Sequence, residues 1–144
     1  MRRRAIAFLF SAWLTTGAVE AADYVVVVNV ANPTTSLGKT ELARVFLKQT
    51  GKWEHGENVI PVDQDKRSPT RQAFTTAVLG RSVTAVLAYW NQKIFSGAEV
   101  PPIQGTSDEQ VLEFVRANAG AVGYVSSSAG LRDVKVLRVV DKDR

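Results

Sequence analysis

The chain reads as an α/β domain, a mostly parallel sheet flanked by helices. Two observations predict this. Short β-branched runs at 25–30, 59–62, 121–125 and 134–140 alternate with stretches of helical period, and strands interleaved with helices build an α/β sandwich. The first run, Val25-Val26-Val27-Val28, has no polar alternation, the mark of a strand covered on both faces.

The N-terminal residues read as a leader. Arg2-Arg3-Arg4 form a charged region, Ala5 to Leu14 an apolar one, and Val19-Glu20-Ala21 an A-x-A-like cleavage site, the make-up of a secretory signal peptide. Residues 1–21 are expected to be removed near Ala21, leaving residues 22–144 as one periplasmic or secreted domain. No later run approaches the roughly 20 apolar residues of a spanning helix, so a soluble product is expected. Without the three arginines and Glu20 the formal charge falls from +4 to about +2. That is too little to argue for nucleic acid, which wants a continuous basic patch. The chain has no cysteine, hence neither a disulfide framework nor a thiolate metal site.

Taken in order, Asp23–Val30 is the first strand and Asn32–Gly38 a polar turn. Thr40–Leu47 is a short helix burying Leu42, Val45 and Phe46, closed by Gly51. Lys52–Asn58 is turn-rich, and Val59–Asp63 is the second strand. Ser68 and Pro69 then read as N-cap and first helical residue, because the serine oxygen accepts an orphan N–H and proline has none to leave unpaired. That helix should bury Ala73, Phe74, Ala77 and Val78 and stop at Gly80. Ser82 caps a longer helix with Val83, Val86, Leu87, Trp90 and Ile94 on one face. Ala98–Thr106, with Pro101-Pro102 and Gly105, reads as a loop. Ser107-Asp108-Glu109-Gln110 opens a third capped helix, burying Val111, Leu112, Phe114 and Val115. Ala121–Val125 and Val134–Val140 are the last strands, and the alternation of the second predicts a place near an edge.

Ligands of such sheets gather at strand carboxyl ends, and the turns Asn32–Ser36, Gln64–Thr70 and Thr106–Ser107 are expected to share that edge. At the middle turn the charges are unusual. A helix start prefers Asp or Glu, yet this one carries Lys66, Arg67 and Arg71. Such a cluster repels itself unless an anion sits in it, and helix N-termini are ready anion sites. The alternative is three basic side chains fanning into solvent around an ordinary cap.

Catalysis has little to rest on. His55 is the only histidine and lies in a turn. A nucleophile–base pair of Ser68 and Lys66 would need a desolvated amine. Asp63 and Asp65 as ligands of a hard cation are opposed by Lys66 and Arg67 beside them. Gly120-x-x-Gly123 leads into strand residues, so it is no phosphate loop. No catalytic residue, metal or cofactor is expected.

One order of motifs stands out: Leu42-x-x-Val45-Phe46-Leu47 before Lys52-Trp53, then Val59-x-Pro61-Val62 leading to Ser68-x-Thr70-Arg71, then Gly120-Ala121-Val122-Gly123-Tyr124-Val125. It resembles the phosphate ABC transporter substrate-binding protein family, of type 2 periplasmic-binding-protein fold. The resemblance implies a single-lobe short member that binds phosphate or a similar inorganic oxyanion without metal, in ABC-type uptake or sensing, with an ABC permease or envelope sensor as partner. It places Ser68 and Thr70 on hydroxyl positions of the family's site. It departs at Pro69, where the family has glycine and one more N–H. The family's arginine falls near Gln64, so the cation would come from Arg67 or Arg71, whose guanidinium suits a tetrahedral oxyanion.

Full members of that family close two lobes over the ligand, and this chain matches the second lobe. A lone lobe leaves an anion partly wet, where charge-assisted bonds are weaker. It also exposes the face that would close. The alternative implied is a ligand-less interaction module of the cell envelope that keeps the fold, docking to a partner or to itself as a homo-oligomer. Trp53, Tyr24 and the Pro101-Pro102 loop are its candidate contacts, though each reads first as an ordinary core or loop residue.

Overall fold

The computed structural model describes residues 24–141, and the expected signal peptide lies outside them. The strands are β1 (Val25–Asn29), β2 (Ser36–Gly38), β3 (Ile60–Gln64), β4 (Ile103–Gly105), β5 (Ala121–Val125) and β6 (Val134–Val140). They form one sheet in the order β2-β6-β1-β5-β3-β4. β2 is parallel to β6, and β3 is parallel to both β4 and β5. β1 is antiparallel to both of its neighbours. Five strands therefore run one way and β1, inside the sheet, runs against them.

The helices are α1 (Lys39–Phe46), α2 (Pro69–Phe74), α3 (Val83–Phe95) and α4 (Asp108–Ala117). α2 continues directly into a π-helical turn, Thr75–Leu79, that ends at Gly80 in the left-handed region. The two faces of the sheet follow from strand alternation. Val26, Val28, Val122, Tyr124 and Leu137 pack with Leu42, Val45, Phe46, Phe74 and Val78 on one side. Val27, Val62, Ala121 and Val125 pack with Val111, Leu112 and Val115 of α4 on the other. Each valine, leucine or phenylalanine among them, fully buried, stabilises the fold by about 1.5–3 kcal/mol. Among the described residues no helix is long and apolar enough to cross a membrane.

All three serine caps form, Ser68, Ser82 and Ser107 accepting from the N–H of Arg71, Ala85 and Gln110. The glycines of Gly120-x-x-Gly123 have a packing reason. A Cβ on Gly120 would run into the Asn58 carbonyl oxygen, and one on Gly123 would lie 2.6 Å from Val111 Cγ1.

Several expectations are corrected. The Asn32–Gly38 turn and the Ala98–Thr106 loop each end in a three-residue strand, β2 and β4. Segments this short carry no periodicity of their own; they pair because β6 and β3 would otherwise present open edges. β6 lies near an edge as expected, one strand in from it because β2 covers it. Of the candidate docking contacts, Trp53 and Tyr24 are core residues, the first reading of each, Trp53 donating its indole N–H to Gly120 O at 3.0 Å and Tyr24 meeting Phe74 edge-on. In α3, Val86 and Trp90 are buried, but Ile94 is half in water and Phe95 is 95% exposed.

The reversed direction of β1 corrects the expected site edge as well. Val25 pairs with Val125 and Val28 with Val122, so the turn after β1 emerges at the far edge from Gln64, Gly105 and Val125. There Thr34, Thr35 and Ser36 line a separate hollow of about 390 Å³ with Glu54 and His55.

Candidate functional site

Three polar turns do meet at one edge of the sheet, those leaving β3, β4 and β5. Asp63 and Gln64 end β3, and because successive strand residues point to opposite faces the pair works on two sides at once. Asp63 accepts from the Tyr124 hydroxyl and faces Arg71, with Arg71 Nη2 3.2 Å from Asp63 Oδ2. Gln64 reaches the other way. Its Nε2 donates to Asp108 Oδ1 and to Tyr124 O, both at 2.9 Å, and its Oε1 accepts from Ser68 Oγ at 2.7 Å. Asp108 Oδ1 also accepts from Ser126 N at 3.1 Å. Gln64 and Asp108 thus staple the starts of α2 and α4 to the turn after β5, where the Ser126 and Ser128 hydroxyls lie 2.9 Å apart.

Arg71 turns inward. Its side chain is 1% exposed, with Nη1 donating to Gln64 O at 2.8 Å and Nε buried without a partner among the described residues. Below it Phe74 stacks on the Tyr124 ring at 3.9 Å between centroids and 9° between planes, a pairing worth about 0.5–1.5 kcal/mol beyond its burial. Arg67 points outward, 84% exposed, with Nε 3.5 Å from Asp65 Oδ1. Ser68 and Thr70 are half-buried.

The electrostatics follow from this pairing. Burial pushes the Asp63 carboxyl above its ordinary range, against the pull of Arg71, the Tyr124 hydroxyl and the Gln64 N–H. Burial, then the neighbouring Asp63 carboxylate, drives the Tyr124 phenol far upward. The Arg67 N–H holds the Asp65 carboxyl below its usual range. The self-repelling positive corner expected from sequence is therefore corrected in part: Asp63 and Asp65 each take one arginine, which leaves Lys66 as the one cation of the three without a carboxylate partner among the described residues.

Of the residues expected to form the site, Gln64, Ser68 and Arg71 come together, Thr70 is the second residue of α2, and Arg67 stands apart on the surface. Sequence reasoning missed Tyr124, Asp108, Ser126 and Ser128, and weighed Asp63 only as a cation ligand. A usable signal existed for Asp63. A carboxylate closing a buried apolar strand needs a partner, and an arginine one helical turn past a nearby cap offers one.

No protein-family profile and no curated protein sequence matches the chain. Solved structures do match its fold. An ABC-type phosphate transport receptor from Vibrio cholerae superposes with a TM-score of 0.65 at 22% identity, covering 84% of this chain and 47% of that one. A putative phosphate ABC transporter substrate-binding protein with bound phosphate, from Clostridium perfringens, gives 0.64 at 18% identity over 81% and 44%. A possible phosphate binding protein from Planctomyces limnophilus gives 0.62 at 19% over 83% and 42%. The chain has the fold of a single lobe of these phosphate ABC transporter substrate-binding proteins. It spans a little under half their length.

Proposed function

We propose that this domain is a non-enzymatic solute-binding lobe for phosphate or a similar inorganic oxyanion, exported and serving ABC-type uptake or sensing with a permease or envelope sensor as partner. One observation carries the reading. The turns after β3, β4 and β5 converge at one edge of a lobe whose solved counterparts include one described with bound phosphate. At that edge the Thr70 hydroxyl and the Ser68 hydroxyl are neutral donors for an oxyanion. Lys66 and Arg67, both exposed, attract it electrostatically from the rim. Arg71 supports the turn from beneath, where its guanidinium orients the Gln64 carbonyl. Titration calorimetry with phosphate, sulfate and molybdate on wild type, Ser68→Ala and Thr70→Ala tests this. Heat that weakens in both variants is expected, and no heat with any anion overturns it.

A second reading has its own observation. Phe95, Ile94, Val100 and Ile103 are all exposed along one connected stretch, and exposed apolar groups of this size mark contact surfaces when they cluster. An interaction module predicts self-association or capture of an envelope partner through this stretch. A strict monomer by gel filtration that captures no partner in pull-down counts against it.

A further inference from the structure

Ser68 and Gln64 are already engaged with each other at the proposed site, and this bears on how a ligand gains entry. A serine hydroxyl has one proton. Here it goes to Gln64 Oε1 at 2.7 Å, while Ser68 Oγ accepts from Arg71 N at 3.2 Å. The Gln64 amide has one allowed orientation. Its two N–H bonds run to Asp108 Oδ1 and Tyr124 O, and both are acceptors that an oxygen could not face. Gln64 is only 4% exposed, so water cannot readily replace a donor that leaves.

From this geometry we infer that Gln64 is an internal latch on the site: its side-chain oxygen occupies the Ser68 proton that an oxyanion needs, and a ligand binds by displacing it. The inference rests on the oxyanion reading and assigns Gln64 a regulating role in place of a ligand contact. The exchange is feasible because a bond to an ionised acceptor is stronger than one to a neutral amide. It lowers affinity because the displaced Gln64 Oε1 is left buried and unpaired. The Thr70 hydroxyl, which makes no such bond among the described residues, engages the ligand without this step.

Gln64→Met keeps the length of the side chain and removes the competing acceptor, while Asp108 Oδ1 keeps Ser126 N. Phosphate affinity by calorimetry should rise about two- to tenfold over wild type, the worth of one net hydrogen bond. In a Ser68→Ala background the Gln64→Met gain should vanish, since the latch acts through that hydroxyl. A folded Gln64→Met protein that binds no tighter, or a gain that persists without Ser68, overturns the latch. Binding by Gln64→Met alone supports it.

A measurement on the unaltered protein keeps the test independent of how the variant folds. In an NMR titration with inorganic phosphate, the Gln64 side-chain amide should shift saturably together with the Thr70 backbone amide. Movement of Thr70 with Gln64 unmoved overturns the latch and leaves the oxyanion reading standing. Movement of neither, together with no phosphate binding by Gln64→Met, overturns both.

Discussion

Arg71 on α2 and Asp63 on β3 form a buried ion pair, Nη2 to Oδ2 3.2 Å, with the arginine side chain 1% exposed. The arginine inside α2 is thus a tie between helix and sheet. Removing one partner of a buried pair leaves the other charge uncompensated, which costs about 3–5 kcal/mol. Arg71→Ala and Asp63→Ala should each lower stability in urea unfolding by that order. Asp63→Leu with Arg71→Met should lose much less than the two single losses together, because no orphan charge remains.

Tyr124 sets an alkaline limit. Burial and the Asp63 carboxylate raise its phenol above the ordinary value of 10.0. The unfolded chain therefore releases this proton first as pH rises, and the folded state binds more protons than the unfolded one. Stability must then fall with increasing pH above about 10. Tyr124→Phe should remove this part of the slope. Urea midpoints at pH 8 and pH 11 for both proteins give the difference; equal slopes would contradict the assignment.

Gly120 answers to packing rather than to turn geometry. A Cβ there meets the backbone oxygen of Asn58, which is fixed by the turn and cannot rotate aside. The Gly120 carbonyl also receives the Trp53 indole N–H and the Ile60 N–H. Gly120→Ala should destabilise by about 1–3 kcal/mol, the usual range for overpacking, seen as a lower thermal midpoint.

Two phenylalanines should behave oppositely. Phe74 is buried against Tyr124, Phe46 and Tyr24, and Phe74→Ala should cost about 3–5 kcal/mol. Phe95 is 95% exposed, and Phe95→Ser should change unfolding by no more than about 0.5 kcal/mol. If Phe95→Ser also abolishes self-association seen in wild type, the exposed stretch is a contact surface.

The elements whose evidence is local were legible in the chain alone. Ser68, Ser82 and Ser107 announce helices because a cap is a bond between residues three apart. β1, β3 and β5 announce themselves by short apolar runs and β6 by its alternation, because each is long enough to show a pattern. Helix, strand and α/β class all follow from contacts within one stretch of chain. The tertiary structure alone decided the rest. β2 and β4 exist because neighbouring strands offered edges to three residues with no pattern of their own. β1 runs backwards and carries the Asn32–Ser36 turn away from the site, a direction that no residue of β1 encodes. Arg71 chose Asp63 over solvent because folding brings the end of β3 beneath it and removes water. An arginine near a helix start reads the same in sequence whether it faces a ligand or a carboxylate, since its partner is set by which strand end lies beneath it.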